Sequence, residues 1–341
     1  MPDFDDSDST LPSLQAALPG LQRRPELVLS IIFHPQTDRA GEFAVLDRRR
    51  RSRVLGRGSV EFGRDPTQDG APLQERHVSR RALEIEFKGD GLVLRRPAGS
   101  CRCRVGGTEL NEERHLNQQA LVRGVPLLLA HSVVLWLACI QEPMQEDAVP
   151  DFGLVGGGRY MQGLRNQLLQ AARSDLDVLL LGATGTGKEV VANAIHAAGQ
   201  RAARPLVAVN VAAIPESLAP AALFGAARGA FTGADRARRG YFQQAAGGTL
   251  FLDEIGDAPA QIQPQLLRAL QQREIQAVGA AVEKIDLRVI SATDADVDGP
   301  GSGFKSALRH RLGAVEIVLK PLQQHREDIG ELLNHFLALA F

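Results

Sequence analysis

Residues 177–199, DVLLLGATGTGKEVVANAIHAAG, decide how the second half of the chain folds. The run 177–181 is apolar and reads as a buried strand, while 190–199 has helical spacing and closes on Gly199. Between them stands Gly182-Ala-Thr-Gly-Thr-Gly187-Lys188, a GxxxxGK segment that leaves a strand and opens a helix. That context makes the motif a phosphate loop. Gly182, Gly185 and Gly187 let the backbone turn so that consecutive amides, including those of Thr184 and Thr186, point inward. The helix N-terminus adds partial positive charge. Lys188 would reach the β- and γ-phosphates. Only five of the 39 Lys and Arg residues are Lys, so a Lys at this place is informative. Glu189 follows where a Ser or Thr hydroxyl usually meets magnesium.

Working outward, the same texture continues. MQGLRNQLLQAARS (161–174) and QIQPQLLRALQQREI (261–275) read as helices, and LVAVNV (206–211), TLFLD (249–253) and LRVISAT (287–293) as short strands. Strands alternating with helices predict a parallel α/β sheet. TLFLD ends in Asp253-Glu254, placing two carboxylates at a C-terminal strand edge, where such sheets bind ligands. Asp253 is the expected Mg²⁺ ligand. Glu254 is expected to orient or deprotonate an attacking water.

Residues before about 140 have a different pattern. LVLSIIF (27–33), EFAVL (42–46), VEFGR (60–64), ALEIEF (82–87), GLVLRR (91–96), PLLLA (126–130) and VVLWLAC (133–139) are short runs bounded by turn residues. KGDG (88–91) signals a hairpin. A β-sandwich or barrel is predicted. The Arg48–Arg51 run with Arg53 reads as a solvated loop. Residues 1–24 form an acidic, Ser/Thr-rich tail, and 141–151 a polar linker with prolines.

Composition sets the outer bounds. Hydrophobic residues are 44% and charged residues 23% of 341, with 39 basic against 40 acidic side chains, so no strong field draws the chain to nucleic acid or an anionic membrane. Cys101, Cys103 and Cys139 are too few for a disulfide framework and read as apolar filler. The longest apolar stretch is too short and broken to span a bilayer. A cytoplasmic location is expected.

Between the two carboxylate- and phosphate-related motifs lies Gly229-Ala230-Phe231-Thr232-Gly233-Ala234. With ATGTGKE (183–189), AVNVAAIPESL (208–218), LFG (223–225), GGTLFLDEIGD (247–257) and LLRALQQREI (266–275), it makes residues 152–320 resemble the AAA+ domain of sigma-54-dependent transcriptional activators. The resemblance implies an ATP- and Mg²⁺-dependent ring that remodels sigma-54 RNA polymerase, with Phe231 and Thr232 at the sigma-contacting tip. It gives Asn210 the role of holding Glu254, Thr293 that of a sensor, and Lys305 and Arg311 the places of two trans-acting arginines. It also tolerates Glu189. Several residues depart from the pattern. Asp294 replaces an Asn and would bring a carboxylate near the γ-phosphate, and Lys at 305 lacks the planar fork of Arg. Residues 321–341 match the start of a lid helix, and no DNA-binding helix pair is expected in this chain. Ile329, Leu332, Leu333, Phe336, Leu337 and Ala340 share one face of that helix and should fold back or form an interface.

Residues 25–140 resemble a forkhead-associated (FHA) domain through Gly63-Arg64 and Val78-Ser79-Arg80. The resemblance implies phosphothreonine binding by Arg64, Ser79 and Arg80, although Cys101-Arg102 and Gly106-Gly107 stand where Asn-Gly pairs are usual. The leading expectation is an ATPase acting on sigma-54 polymerase under an FHA-like sensor. The alternative is a catalytically impaired interaction module that binds phosphoproteins or full-length relatives.

Overall fold

The computed structural model describes residues 26–64, 70–140, 150–230, 236–297, 299 and 303–340. They divide into two compact units, one of residues 26–30 and 43–140, the other of residues 31–42 and 150–340. The expected acidic tail and nearly all of the expected linker lie outside the described residues.

The first unit is built from antiparallel strands: β1 (Glu26–Phe33), β2 (Phe43–Leu46), β3 (Ser52–Leu55), β4 (Glu61–Phe62), β5 (Ala71–Pro72), β6 (Leu83–Lys88), β7 (Gly91–Arg95), β8 (Cys103–Val105), β9 (Thr108–Glu109), β10 (Glu113–Leu116), β11 (Val125–Leu129) and β12 (Val133–Ile140), with helix α1 (Gln118–Arg123) before β11. One sheet runs β2-β1-β12-β11-β8-β9 and a second β10-β7-β6-β3, with β4 and β5 paired separately. The KGDG hairpin forms as its sequence predicts. Lys88 pairs with Gly91 around a two-residue turn, and Gly89 takes the positive φ (56°) such a turn needs. Part of the arginine run departs from its loop reading. Arg53 lies within β3 and pairs with Ile85 of β6. Leu83, Ile85, Leu92 and Leu94 are buried, as are Leu127, Leu129, Leu135 and Leu137, so both sheets bury apolar side chains.

The second unit contains α2 (Arg159–Arg173), β13 (Val178–Leu181), α3 (Lys188–Ala197), β14 (Leu206–Asn210), α4 (Ala219–Phe224), α5 (Tyr241–Gln244), β15 (Thr249–Asp253), α6 (Gln263–Gln272), β16 (Glu274–Gln276), β17 (Val282–Lys284), β18 (Arg288–Thr293), α7 (Ser306–Leu312), β19 (Val315–Val318) and α8 (Ile329–Ala340). Five strands form a parallel sheet in the order β14-β15-β18-β13-β19. Alternate residues feed two cores. Leu179, Leu250, Leu252 and Val289 join one; Val178, Leu180, Phe251 and Ile290 join the other. A sheet covered on both faces requires unbroken apolar strands, which explains the runs in the sequence.

One expectation changes. The helix predicted over 261–275 stops at Gln272, where Arg273 enters the left-handed region (φ 54°) and β16 begins. At that turn the Arg273 side chain donates to the buried Asp177 carboxylate at 3.0 Å and to the Leu287 carbonyl at 3.1 Å, contacts that favour leaving the helix there. Helix α8 rests on described residues through Asn334, which donates to the Thr37 carbonyl at 2.7 Å, while Leu333, Phe336 and Leu337 of its apolar stripe stay exposed, Phe336 by 62%. Among the described residues no helix is long and apolar enough to cross a membrane. Burial pushes the Cys103 thiol up to about 12, which suits a filler rather than a nucleophile.

Asp177 also accepts from the Val289 amide at 2.9 Å. Asp177→Ala leaves that amide without its partner, and we expect a loss of about 2 kcal/mol in urea denaturation.

Candidate functional site: a phosphate loop facing three strand ends

Register decides what meets at the sheet's C-terminal edge. Leu181 pairs with Thr293, and Asn210 with Asp253. The phosphate loop, Asp294, Asp253-Glu254 and Asn210 therefore leave their strands at neighbouring positions. The strand carrying Asp253 is not next to the phosphate-loop strand, because β18 lies between them. The end of β18 is thereby set between the two motifs.

Gly185 and Gly187 adopt φ of 80° and 88°, conformations open to glycine, and Lys188 begins α3. The Lys188 side chain is only 7% exposed, and its Nζ donates to the Gly182 carbonyl at 2.9 Å. Its second neighbour is Glu254 Oε1 at 3.8 Å. Glu254 itself has φ 50° and ψ 47°. A left-handed non-glycine costs about 1 kcal/mol, and such strain gathers at functional sites. Burial pushes the Glu254 carboxyl above its ordinary range, with smaller contributions from the Asp294 and Asp253 carboxylates; Lys188 and the Asp294 amide oppose the rise. Glu189 is exposed in the first turn of α3, where a carboxylate complements the helix dipole.

The remaining site residues divide. The Thr293 hydroxyl is buried and accepts from the Ala295 amide at 3.0 Å, so it serves its own turn. Its neighbour Asp294 reaches the phosphate loop instead, accepting a hydrogen bond from the Thr184 hydroxyl. The sequence showed that carboxylate as a departure but not this contact. The Asn210 amide oxygen accepts from the Ala213 amide at 3.2 Å. Arg311 directs its guanidinium to the Leu270 carbonyl, at 2.8 Å and 3.1 Å, near the end of α6 in its own chain. Asp253 is half-buried at the end of β15. One carboxylate suits magnesium, which binds phosphates and keeps much of its water. The open glycine turn, the buried lysine and this carboxylate together fit a magnesium-bound polyphosphate.

Gly229 and Ala230 begin the segment expected to contact sigma; Phe231, Thr232, Gly233 and Ala234 lie outside the described residues. The base of this loop is clamped. Ala226 and Arg238 exchange both backbone hydrogen bonds at 2.9 Å, and the Ala227 amide donates to the Val278 carbonyl. Phe224 and Phe242, ending α4 and opening α5, stack at 5.1 Å. Gly240 passes so close that a Cβ there would lie 2.3 Å from the Gly225 nitrogen.

In the first unit, the Ser79 hydroxyl accepts from the Cys101 amide at 2.8 Å, and the Ser79 amide points at the Cys101 sulfur at 3.5 Å. Arg64 and Arg80 are exposed. A cavity of about 330 Å³ lies beside Ser79, lined also by Arg81, Glu84 and residues 97–100.

Residues 154–318 match the family described as Sigma-54 interaction domain. The transcriptional regulatory protein ZraR of Klebsiella oxytoca is 47% identical over 200 residues, covering 58% of this chain and 45% of that protein. The DNA-binding transcriptional regulator NtrC of Escherichia coli (strain K12) is 44% identical over 194 residues, covering 56% and 41%. The crystal structure of NtrX from Brucella abortus in complex with ADP has a TM-score of 0.51 at 34% identity, covering 55% of this chain and 42% of that one. The chain thus spans less than half the length of the curated relatives it matches. The second unit is a P-loop AAA+ domain with a parallel sheet. Within it, residues 154–318 are similar to the sigma-54 interaction domains of transcriptional activators.

A carboxyl held above its ordinary pKa binds more protons folded than unfolded, so its contribution to stability falls as pH rises past the ordinary value near 4.5. Glu254→Gln is therefore expected to melt higher than the parent chain at pH 7. Thermal scans should show that advantage shrinking toward pH 4.

Proposed function

We propose that this chain binds and hydrolyses Mg·ATP and uses the cycle to move the 229–234 segment against sigma-54 RNA polymerase, as part of transcription activation. The observation that carries the reading is the meeting of Lys188, Glu254 and the phosphate loop at one strand edge, with Lys188 Nζ 3.8 Å from Glu254.

In this reading the loop amides and Lys188 hold the phosphates, and Asp253 holds the magnesium ion, whose charge offsets that of the phosphates. Glu254, whose carboxyl burial holds above its ordinary range, is suited to exchanging a proton with an attacking water. Thr293 supports the turn that presents Asp294. Asn210 stands beside Asp253 in register and is the residue through which the strand edge would report nucleotide state. The clamp at Ala226 and Arg238 gives the sigma-contact loop a fixed base. Self-association into a ring would supply Lys305 and Arg311 in trans. The cis bonds from Arg311 to Leu270 must then be exchanged for the neighbour's nucleotide. Those bonds are also the observation that favours the second reading, a chain of weak turnover acting chiefly by interaction.

The first unit is proposed to be an FHA-like phosphothreonine-binding domain that regulates the second, with Ser79 held by Cys101 beside the open cavity and Arg64 and Arg80 supplying charge. The support is the Ser79–Cys101 pairing, which joins the two segments such a site would need.

Steady-state phosphate release from Mg·ATP tests the main reading. Turnover is expected, lost in Lys188→Ala and reduced by about 10²–10⁴ in Glu254→Gln. ATP binding without phosphate release at any protein concentration would decide for the interaction module.

A further inference from the structure

Asp294 occupies a place that its exposure alone would not suggest. It follows β18, the strand set between the phosphate-loop strand and the Asp253 strand. Its carboxylate accepts from the hydroxyl of Thr184, inside the phosphate loop. Its amide donates toward Glu254 Oε2 at 3.4 Å. The Thr184 hydrogen bond, and after it the Lys188 charge, hold the Asp294 carboxyl below its ordinary range, so it is ionised at neutral pH.

Around this point carboxylates outnumber the cation of the loop. Lys188 is the cation of the loop, and Asp294, Glu254 and Asp253 stand around it at the strand ends. A diphosphate can use the loop amides and the helix terminus, which lie on the β13 side. A third phosphoryl group extends the anion beyond the loop toward the strand ends, where Asp294 waits. Two anions facing each other there repel, and because Asp294 is exposed that repulsion responds to salt. The bond from Thr184 adds a second effect. While Asp294 holds that hydroxyl, the loop is tied to the end of β18 and Thr184 is withheld from a phosphate oxygen.

We infer that Asp294 is a specificity-determining residue for the nucleotide state, disfavouring a triphosphate relative to a diphosphate so that the ADP-bound form is the resting form of this chain. The inference rests on the reading of the loop as an adenine-nucleotide pocket and adds which nucleotide it prefers. Asp294→Asn separates charge from shape, because the amide oxygen can still accept from Thr184. Thr184→Val removes the tie and keeps the charge.

The test is equilibrium titration of the whole chain with ADP and with the slowly hydrolysed analogue ATPγS, in EDTA, for the parent, Asp294→Asn and Thr184→Val. The parent is expected to bind ADP more tightly. In Asp294→Asn the ratio of the ATPγS to the ADP dissociation constant should fall by about tenfold or more. Added salt should narrow the parent's ratio and leave that of Asp294→Asn nearly unchanged, a response that a purely structural role would not give. Thr184→Val should keep most of the parent's preference. Equal ratios in parent and Asp294→Asn, or a preference lost in Thr184→Val alone, overturn the inference. If the parent and the variants bind neither nucleotide, the pocket reading itself fails and takes the inference with it.

Discussion

Parallel strands are paired through evenly spaced hydrogen bonds, and that pairing leaves no freedom in where each strand stops. Leu181 beside Thr293 and Asn210 beside Asp253 are the pairs that matter here. The first of them brings residues more than a hundred positions apart in sequence to one edge. A slip of a single residue would turn Leu179 and Leu180 into each other's cores. The two-sided burial of the sheet therefore holds the register, and the register assembles the site. Chemistry at the edge depends on packing well below it.

At that edge a single buried ammonium is shared. Lys188 satisfies one hydrogen bond within its own loop and leans toward Glu254 without closing on it. Neither group is fully compensated, and Glu254 sits in a strained backbone conformation besides. Elsewhere in the same unit charges are paired closely. Arg201 bridges Asp175 and Asp286 at 2.7 and 2.8 Å, and Arg309 meets Glu316 at 2.7 Å. The contrast marks the strand edge as the place where the fold leaves charge unresolved for a ligand to complete.

Much of the second unit was legible because each local signal agreed with the next. An apolar run, a glycine turn and a helical spacing follow one another over 177–199, and all three agree on a strand–loop–helix unit. The end of α6 was not legible, since Arg273 looks like an ordinary helix former until Asp177, almost a hundred residues away, draws its side chain aside. Arg311 and Thr293 were readable as residues but not as contacts, because Leu270 and Ala295 are chosen by tertiary placement. In the first unit the strong apolar strands announced themselves. Strands such as Thr108–Glu109, polar and exposed, and Ser52–Leu55, hidden behind a run of arginines, did not. Edge strands bury too little to leave a pattern in composition.

The clamp between Ala226 and Arg238 carries a mechanical implication. Ala226 and Arg238, which flank the 229–234 segment in sequence, are tied to each other and braced by the stacked rings of Phe224 and Phe242 and by the crossing of Gly225 and Gly240, where no side chain fits. A displacement of α4 or α5 therefore carries Ala226 and Arg238 together, with the spacing between them kept by their two backbone hydrogen bonds.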